Sequence, residues 1–289
     1  MSAVISRSDR PEQRACPGAA RALGAMRVAG GVDVRAEVRG GKSRVTHLRE
    51  RDGFKVRFAR RASPPEGVII NTGGGLASGD AIRQTFDVGK DAELTMTTQA
   101  AERCYRSGDG ATTSIDVAAT VNDNAVLNWL PQETIIYDEA RLSRSIDVSL
   151  APTARLLMSE TVVFGRRAMG EILRGGLFTD RWRIVRDGKL IFAENARVGD
   201  DVFDDFTASA ITGGAHAAVT LLLASGDGEE RLARAQSVTD AAPFKCAASA
   251  WHGKLVVRGL AERAQDVRHL MHVLVPALGG PPMPRSWLT

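Results

Sequence analysis

The stretch Ile82-Arg83-Gln84-Thr85-Phe86-Asp87-Val88-Gly89-Lys90-Asp91-Ala92-Glu93-Leu94-Thr95-Met96-Thr97-Thr98 decides the fold class. Ile82, Phe86 and Val88 alternate with Arg83, Thr85 and Asp87, and Leu94, Met96 and Thr98 alternate with Thr95 and Thr97. A period of two belongs to a strand, whose successive side chains leave opposite faces, and β-branched residues favour that pleated surface. The same rhythm runs outward in both directions. Phe54, Val56 and Phe58 alternate with Lys55, Arg57 and Ala59, and Leu142, Ile146, Val148 and Leu150 repeat the pattern. Trp182 and Ile184 lead into Asp187-Gly188, the strongest short hairpin signal, with Leu190 to Phe192 as the return. Val219 to Leu223 reads as a buried strand, and Lys254 to Val257 follows a turn at Gly253. Turn residues recur roughly every eight to twelve positions from Val34 onward, which is the all-β signature.

Helices are few. Glu229 to Ala235 suits a short one. Over 261–275, Leu260, Ala264, Val267, Met271 and Leu274 recur at helical steps opposite Glu262, Arg263, Asp266 and Arg268, and Gly279-Gly280-Pro281-Pro282 stop the run. About fourteen strands and two late helices predict one β-rich domain over 31–289, after a mobile basic leader over 1–30. No hexapeptide-type repeat is present, so a solenoid is not legible from pattern alone.

Composition narrows the function classes. The 289 residues, 44% hydrophobic and 25% charged, exclude a wholly disordered or collagen-like chain. The net charge of +4 divides into +9 over residues 1–61 and −5 over the remainder, so attraction for a polyanion rests on the leader and first strands alone. Neither nucleic acid nor a membrane is an expected partner. Arg outnumbers Lys 32 to 6, which favours bidentate pairing with carboxylates. Cys16, Cys104 and Cys246 form no CxxC pair, pointing to a reducing compartment without a disulfide framework or zinc ribbon. No apolar run approaches the ~20 residues of a membrane span. Residues 1–30 lack a signal-peptide core, and Asp9 and Glu12 count against a transit peptide, so a cytoplasmic location is expected.

The loudest local feature is Asn71-Thr72-Gly73-Gly74-Gly75-Leu76-Ala77-Ser78-Gly79-Asp80. A phosphate loop is refused by Asp80-Ala81 standing where Lys and Ser/Thr are required, and Ser78 holds the third glycine position of a dinucleotide fingerprint. A tight connection with close backbone approach is the plainer reading. His269 and His272, three apart on the terminal helix, suit either a shared metal or a solvated face, with no third ligand near; His47, His216 and His252 are scattered. Asp200-Asp201 and Asp204-Asp205 suit a hard cation or a solvated turn. No Ser–His–Asp order or nucleophile elbow occurs, and Asp80, Glu133, Asp138, Glu160 and Glu171 form no readable acid pair. A catalytic centre is not supported by these residues.

Taken together, the motifs resemble the urease accessory protein UreD family, called UreH in some organisms. Gly73-Gly74-Gly75-Leu76 through Gly79-Asp80 resembles its GGL-x-x-GD signature, although Ser78 stands where many members carry another glycine. Thr97-Thr98-Gln99-Ala100-Ala101-Glu102-Arg103-Cys104-Tyr105-Arg106-Ser107 resembles its TT-x-A-x-x-(K/R)-x-YRS segment. Trp129-Leu130-Pro131-Gln132-Glu133-Thr134-Ile135 is similar to WLPQE-(T/P)-I, and Gly165-Arg166 with Gly170-Glu171 to GR-x-x-x-GE. Arg186-Asp187-Gly188 occupies the later hairpin, and Pro284-Arg285-x-Trp287 resembles the closing PR-x-W, so the resemblance covers roughly 33–287.

The resemblance implies a β-helical, solenoid-like, elongated all-β architecture with two short helices, one near the C-terminus. It implies a urease maturation scaffold that binds apo-urease and UreF, with UreG bringing nickel through UreF. An internal passage would carry nickel transiently, with no tightly bound cofactor. Asp80, Glu133, Glu160 and Glu171 lie in or beside the motifs and are the candidate passage-lining or interface groups; pairing with the abundant Arg is the alternative. The apolar side of the terminal helix, with Trp251 and Trp287, is either a partner surface or core. A β-helical carbohydrate-active enzyme is the rival class, requiring a close carboxylate pair in an aromatic cleft, whereas aromatics are 5% of the chain.

Overall fold

The computed structural model describes residues 27–59, 64–166, 169–171, 173–199 and 206–288. The Asp200-Asp201 and Asp204-Asp205 acids lie outside the described residues, as does most of the leader. Strand makes up 53% of the structure. In chain order the strands are β1 (Gly31–Arg39), β2 (Lys42–Arg51), β3 (Phe54–Phe58), β4 (Glu66–Asn71), β5 (Ala81–Val88) and β6 (Glu93–Thr98). There follow β7 (Glu102–Cys104), β8 (Thr113–Val121), β9 (Val126–Leu130), β10 (Thr134–Ile136), β11 (Arg141–Leu150) and β12 (Arg155–Phe164). The last are β13 (Leu177–Arg186), β14 (Lys189–Gly199), β15 (Ala217–Ala224), β16 (Lys245–Trp251) and β17 (Lys254–Ala261). The two α-helices of the described residues are α1 (Leu232–Asp240) and α2 (Ala264–Ala277).

The strands make two sheets. One runs β14-β13-β11-β8-β5-β1-β2; the other runs β16-β17-β15-β12-β9-β6-β4-β3, with β10 and β7 attached through β12. From β5 to β13 the chain passes back and forth between them, each pass laying a strand parallel to the one before. This coiling gives a solenoid-like arrangement of about four turns, the β-helical architecture that the resemblance implied. Register stacks inward residues into rows. Val34, Phe86, Ala119, Val148 and Ile184 form one row, and Met96, Trp129, Met158 and Leu222 form a row on the other sheet. The two rows meet where Phe86 and Trp129 lie with ring centroids 5.0 Å apart.

The outer face of the second sheet is covered as well. Leu157, Leu221, Leu223, Leu255 and Val257 pack there against Val267, Leu270, Met271 and Leu274 of α2. Strands β12 and β15 are therefore buried on both faces, which explains their nearly continuous apolar composition. Trp287 belongs to this second core, whereas Trp251 is partly exposed.

Boundaries depart from expectation where backbone pairing outranks side-chain periodicity. Leu260 and Ala261, the start of the helical pattern, instead close β17 by pairing with Ala218 and Ala217. Helix α2 begins at Ala264 and continues to Ala277, taking Pro276 into its last turn. The earlier helix runs to Asp240, behind a 3-10 turn at Glu229–Arg231. Asp187 and Gly188 both take left-handed φ, 49° and 72°, as the two-residue hairpin requires.

Candidate functional site

The motif segments other than Arg186-Asp187-Gly188, which lies at the far end of β13, meet along one side of the coil. In the glycine-rich loop, Asn71 accepts a hydrogen bond from the Gly73 amide (3.0 Å) and donates from Nδ2 to the Gly75 carbonyl (3.2 Å) and to Glu102 Oε1 (3.0 Å). The Leu76 amide donates to the Arg103 carbonyl (2.7 Å), the Tyr105 amide donates back to Leu76 (3.0 Å), and Tyr105 Oη donates to the Gly74 carbonyl (2.9 Å). This zipper draws the backbones so close that a Cβ on Gly75 would lie 2.4 Å from the Tyr105 ring. At the loop's far end, Gly79 has φ 77°, and buried Asp80 accepts amide hydrogens from Val28 (2.8 Å) and Ala77 (2.7 Å). Asp80 is thus a fastener of the loop onto the incoming chain.

Asp80 acts on buried Glu102, and both act on Cys104. Burial pushes the Glu102 carboxyl up to about 7, opposed by its hydrogen bond from Asn71, and the Asp80 charge adds to the rise. Burial likewise pushes the Cys104 thiol up to about 12, reinforced by the charges of Glu102 and Asp80. Cys104 is therefore held as a thiol, unsuited to nucleophilic attack. An open hollow of about 220 Å³ lies over Glu102, bordered by Asn71, Gly74 and Thr98.

The Gly165–Glu171 motif joins the same side. Gly165 has φ 79° and donates to the Ile136 carbonyl (2.8 Å); Gly170 also takes left-handed φ, 72°. Glu171 accepts from the Arg166 amide (2.9 Å) and pairs with its guanidinium (3.0 Å), which keeps the carboxyl below its ordinary range. The guanidinium lies 4.1 Å over the Tyr137 ring, and Tyr137 meets Tyr105 edge to face at 5.1 Å. Next to Tyr105, Arg106 pairs with Glu139 (2.5 Å).

Pro131, Gln132 and Glu133 follow β9 into a buried junction with α2 and the C-terminal segment. Arg268 of α2 donates to Glu133 Oε1 (2.8 Å) and Oε2 (3.2 Å) and to Gln132 Oε1 (2.7 Å). Gln132 Nε2 donates to the carbonyls of Gln99 and Ser286, each at 2.8 Å. Trp287 Nε1 donates to Thr97 Oγ1 (3.0 Å). Three sequence motifs are thereby cross-braced by one arginine and one glutamine.

Deeper in the coil lies a charged group bridging the two sheets. Arg144 of β11 donates to Asp180 of β13 at 2.9 Å and 2.6 Å, and to Glu160 of β12 on the opposite sheet. Trp129 Nε1 donates to Glu160 (2.9 Å), and Trp182 Nε1 to Asp180 (2.9 Å). All three ionisable side chains are buried. Two carboxyls face one guanidinium, so full ionisation leaves one net negative charge in a low-dielectric interior. Burial pushes the Glu160 carboxyl up to about 7; Arg144 opposes the rise and Asp180 adds to it. Burial works against the Arg144 charge, but Asp180 and Glu160 outweigh it and leave its pKa raised.

The four candidate carboxylates thus occupy separate surroundings. Glu133, Glu160 and Glu171 each pair with an arginine, and Asp80 serves backbone amides. His269 is exposed and His272 half-buried on α2. Among the described residues, no group of three or more His, Cys, Asp or Glu is arranged to hold a metal ion. Glu102, Arg144 and Asp180 were not among the candidates. Two of them carried a readable signal: Arg144 stands at an inward position between Leu142 and Ile146, and Asp180 between Phe178 and Trp182. A charge at a core-facing position of an alternating strand needs a buried partner.

Comparison with known proteins gives these features a common context. Residues 28–288 match the family model described as UreD urease accessory protein. The chain is 41% identical over 268 residues to the urease accessory protein UreD of Azorhizobium caulinodans, covering 92% of this chain and 96% of the relative. Identity to the urease accessory protein UreD of Xanthobacter autotrophicus is 39% over 288 residues, covering 100% of this chain and 99% of the relative. A third relative, urease accessory protein UreD 3 of Methylorubrum extorquens, is 41% identical over 276 residues, covering 93% and 92%.

Proposed function

Because the chain belongs to the UreD family of urease accessory proteins and so has a role in urease maturation, we propose that it acts there as a scaffold and nickel conduit rather than as a catalyst. In this reading it binds apo-urease and UreF, and UreG supplies nickel through UreF. Nickel is cargo that passes through and is not retained.

One observation carries the conduit: the buried group in which Glu160 and Asp180 face Arg144 between the two sheets. A surplus carboxylate inside the coil attracts a divalent cation. A carboxyl that titrates near neutral pH yields its proton as the cation arrives and regains it as the cation leaves. Transit requires favourable entry and easy exit, which a carboxylate already shared with an arginine supplies better than a thiolate or imidazole chelate. Asp80, Glu133 and Glu171 are the further passage or interface groups of this proposal. Among the described residues, no helix is long and apolar enough to cross a membrane.

The test is co-expression with urease and its other accessory proteins, followed by measurement of nickel in purified urease. Glu160→Gln lowers nickel content while the variant still co-purifies with UreF. Normal nickel loading by that variant would remove the conduit, and loss of UreF binding by the unaltered chain would remove the scaffold.

A further inference from the structure

The corner of the molecule opposite β14 carries a charge imbalance that nickel transit does not use. Strand β2 ends its sheet, and among the described residues nothing pairs with its outer edge. Its register against β1 contains a bulge: Arg35 pairs with His47 and Ala36 with Val45, leaving Thr46 as the extra residue. The bulge changes the parity of the strand. Lys42 and Arg44 lie opposite Arg39 and Glu37, and beyond the bulge His47 and Arg49 lie opposite Arg35 and Asp33. All four β2 side chains therefore share the outer face, since the intervening β1 residues Val32, Val34 and Ala36 point into the core.

Three acids on this outer face are already engaged. Asp33 is held by Arg51 (2.6 Å), Glu37 by Arg39 (2.7 Å) and Asp87 by Arg35 (2.9 Å). Lys42, Arg44 and Arg49, all exposed, are left without a carboxylate partner among the described residues. Beside them an open hollow of about 460 Å³ is bordered by Arg35, Glu37, Arg39, Thr46 and His47.

From this geometry we infer that β2 is a docking edge for an extended, acidic segment of a partner protein, which adds to the sheet as an eighth strand. Backbone groups of the free edge supply the ladder, and side chains spaced two residues apart on one face match carboxylates at alternate positions of the incoming strand. A second copy of the chain is a poor occupant. Two β2 edges would bring cations against cations, and on the opposite edge strand, β14, the carboxylate of Glu194 is already held by Arg258. A nucleic acid or an anionic membrane uses the cations but leaves the backbone edge unpaired, whereas an extended acidic segment satisfies both. The inference is independent of the nickel route, so either can fail without the other.

The experiment measures binding of the full chain to a soluble peptide of alternating glutamate and threonine. Salt-sensitive binding is expected, weakened roughly tenfold or more by Arg44→Glu/Arg49→Glu. Neutralising Arg44→Gln/Arg49→Gln gives a smaller loss and guards against misfolding of the first variant. Arg183→Glu, elsewhere on the same sheet face, leaves binding unchanged, and a peptide of alternating glutamate and proline, which cannot form a ladder, binds poorly. Unaltered affinity in both β2 variants overturns the site. Equal binding of the proline peptide overturns strand addition, and stronger competition by a DNA duplex or by anionic vesicles overturns the choice of partner.

Discussion

Arg144 and Glu160 are hydrogen-bonded across the core, joining strands that belong to different sheets, while Asp180 holds the same guanidinium from its register position on β13. Removing the arginine strands two buried carboxyls. Arg144→Met is expected to cost about 3–5 kcal/mol in urea unfolding at neutral pH, the usual size for an orphaned buried charge. The triple change Arg144→Met/Glu160→Gln/Asp180→Asn removes the charges as well and should recover part of that loss. Equal losses for the single and triple variants would show that packing, not charge, is what Arg144 contributes.

Neighbouring glycines in the loop should respond differently to alanine. Gly75 has φ 157°, and a Cβ there would meet Tyr105 at 2.4 Å and the Arg103 carbonyl at 2.9 Å. Gly74 has φ 74° with no atom within 4 Å of its missing Cβ. Gly74→Ala should cost about 1–2 kcal/mol from backbone conformation alone. Gly75→Ala should cost more, about 2–4 kcal/mol, because the zipper to β7 must open as well. Thermal unfolding of the two variants decides; equal losses would dismiss the close approach.

The strands were legible because each alternates by itself. Phe86 and Trp182 were placed inward by their neighbours, and both are buried. The coil was not legible. Its rows join residues far apart in sequence, and Val34, Phe86, Ala119, Val148 and Ile184 share a row without sharing an identity. Such rows are satisfied by apolar volume, so they leave no repeating letter. The carboxylates were found through their motifs, whereas their partners were not: Arg268 lies far along the chain from Glu133, and only the docking of α2 brings them together.

That docking contact supplies a third prediction. Arg268 holds Glu133 at 2.8 Å with both side chains largely buried, whereas Arg181 and Asp147 meet at 2.8 Å with about half of each side chain exposed, 47% and 48%. Distance alone would rank them equal; solvent screening does not. A double-mutant cycle of Arg268→Met with Glu133→Gln should give a coupling of about 1–3 kcal/mol. The corresponding cycle of Arg181→Met with Asp147→Asn should give roughly 0–1 kcal/mol. Comparable couplings would mean that the junction of α2 is open to water.

Glu102 gives stability a pH dependence whose sign is fixed by its surroundings. Its carboxyl titrates near 4.5 when free and at about 7 in the fold, raised first by burial. Between those values the folded chain holds a proton that the unfolded chain has released. Its contribution is therefore fully present below pH 4.5 and is lost as pH rises through 7, an effect on the order of 3 kcal/mol. Glu160 titrates in the same direction, so the intact chain shows the sum of both. Groups held low, such as Asp227 near 2, act at more acid pH and with the opposite sign. Glu102→Gln keeps the bulk of the side chain but does not titrate. The gap between the unfolding curves of the intact chain and the variant, followed from pH 5 to pH 8, isolates the Glu102 share, and it should change steadily up to about pH 7 and then flatten. Parallel curves throughout would show that Glu102 is solvated in the folded chain and that the hollow above it admits water freely.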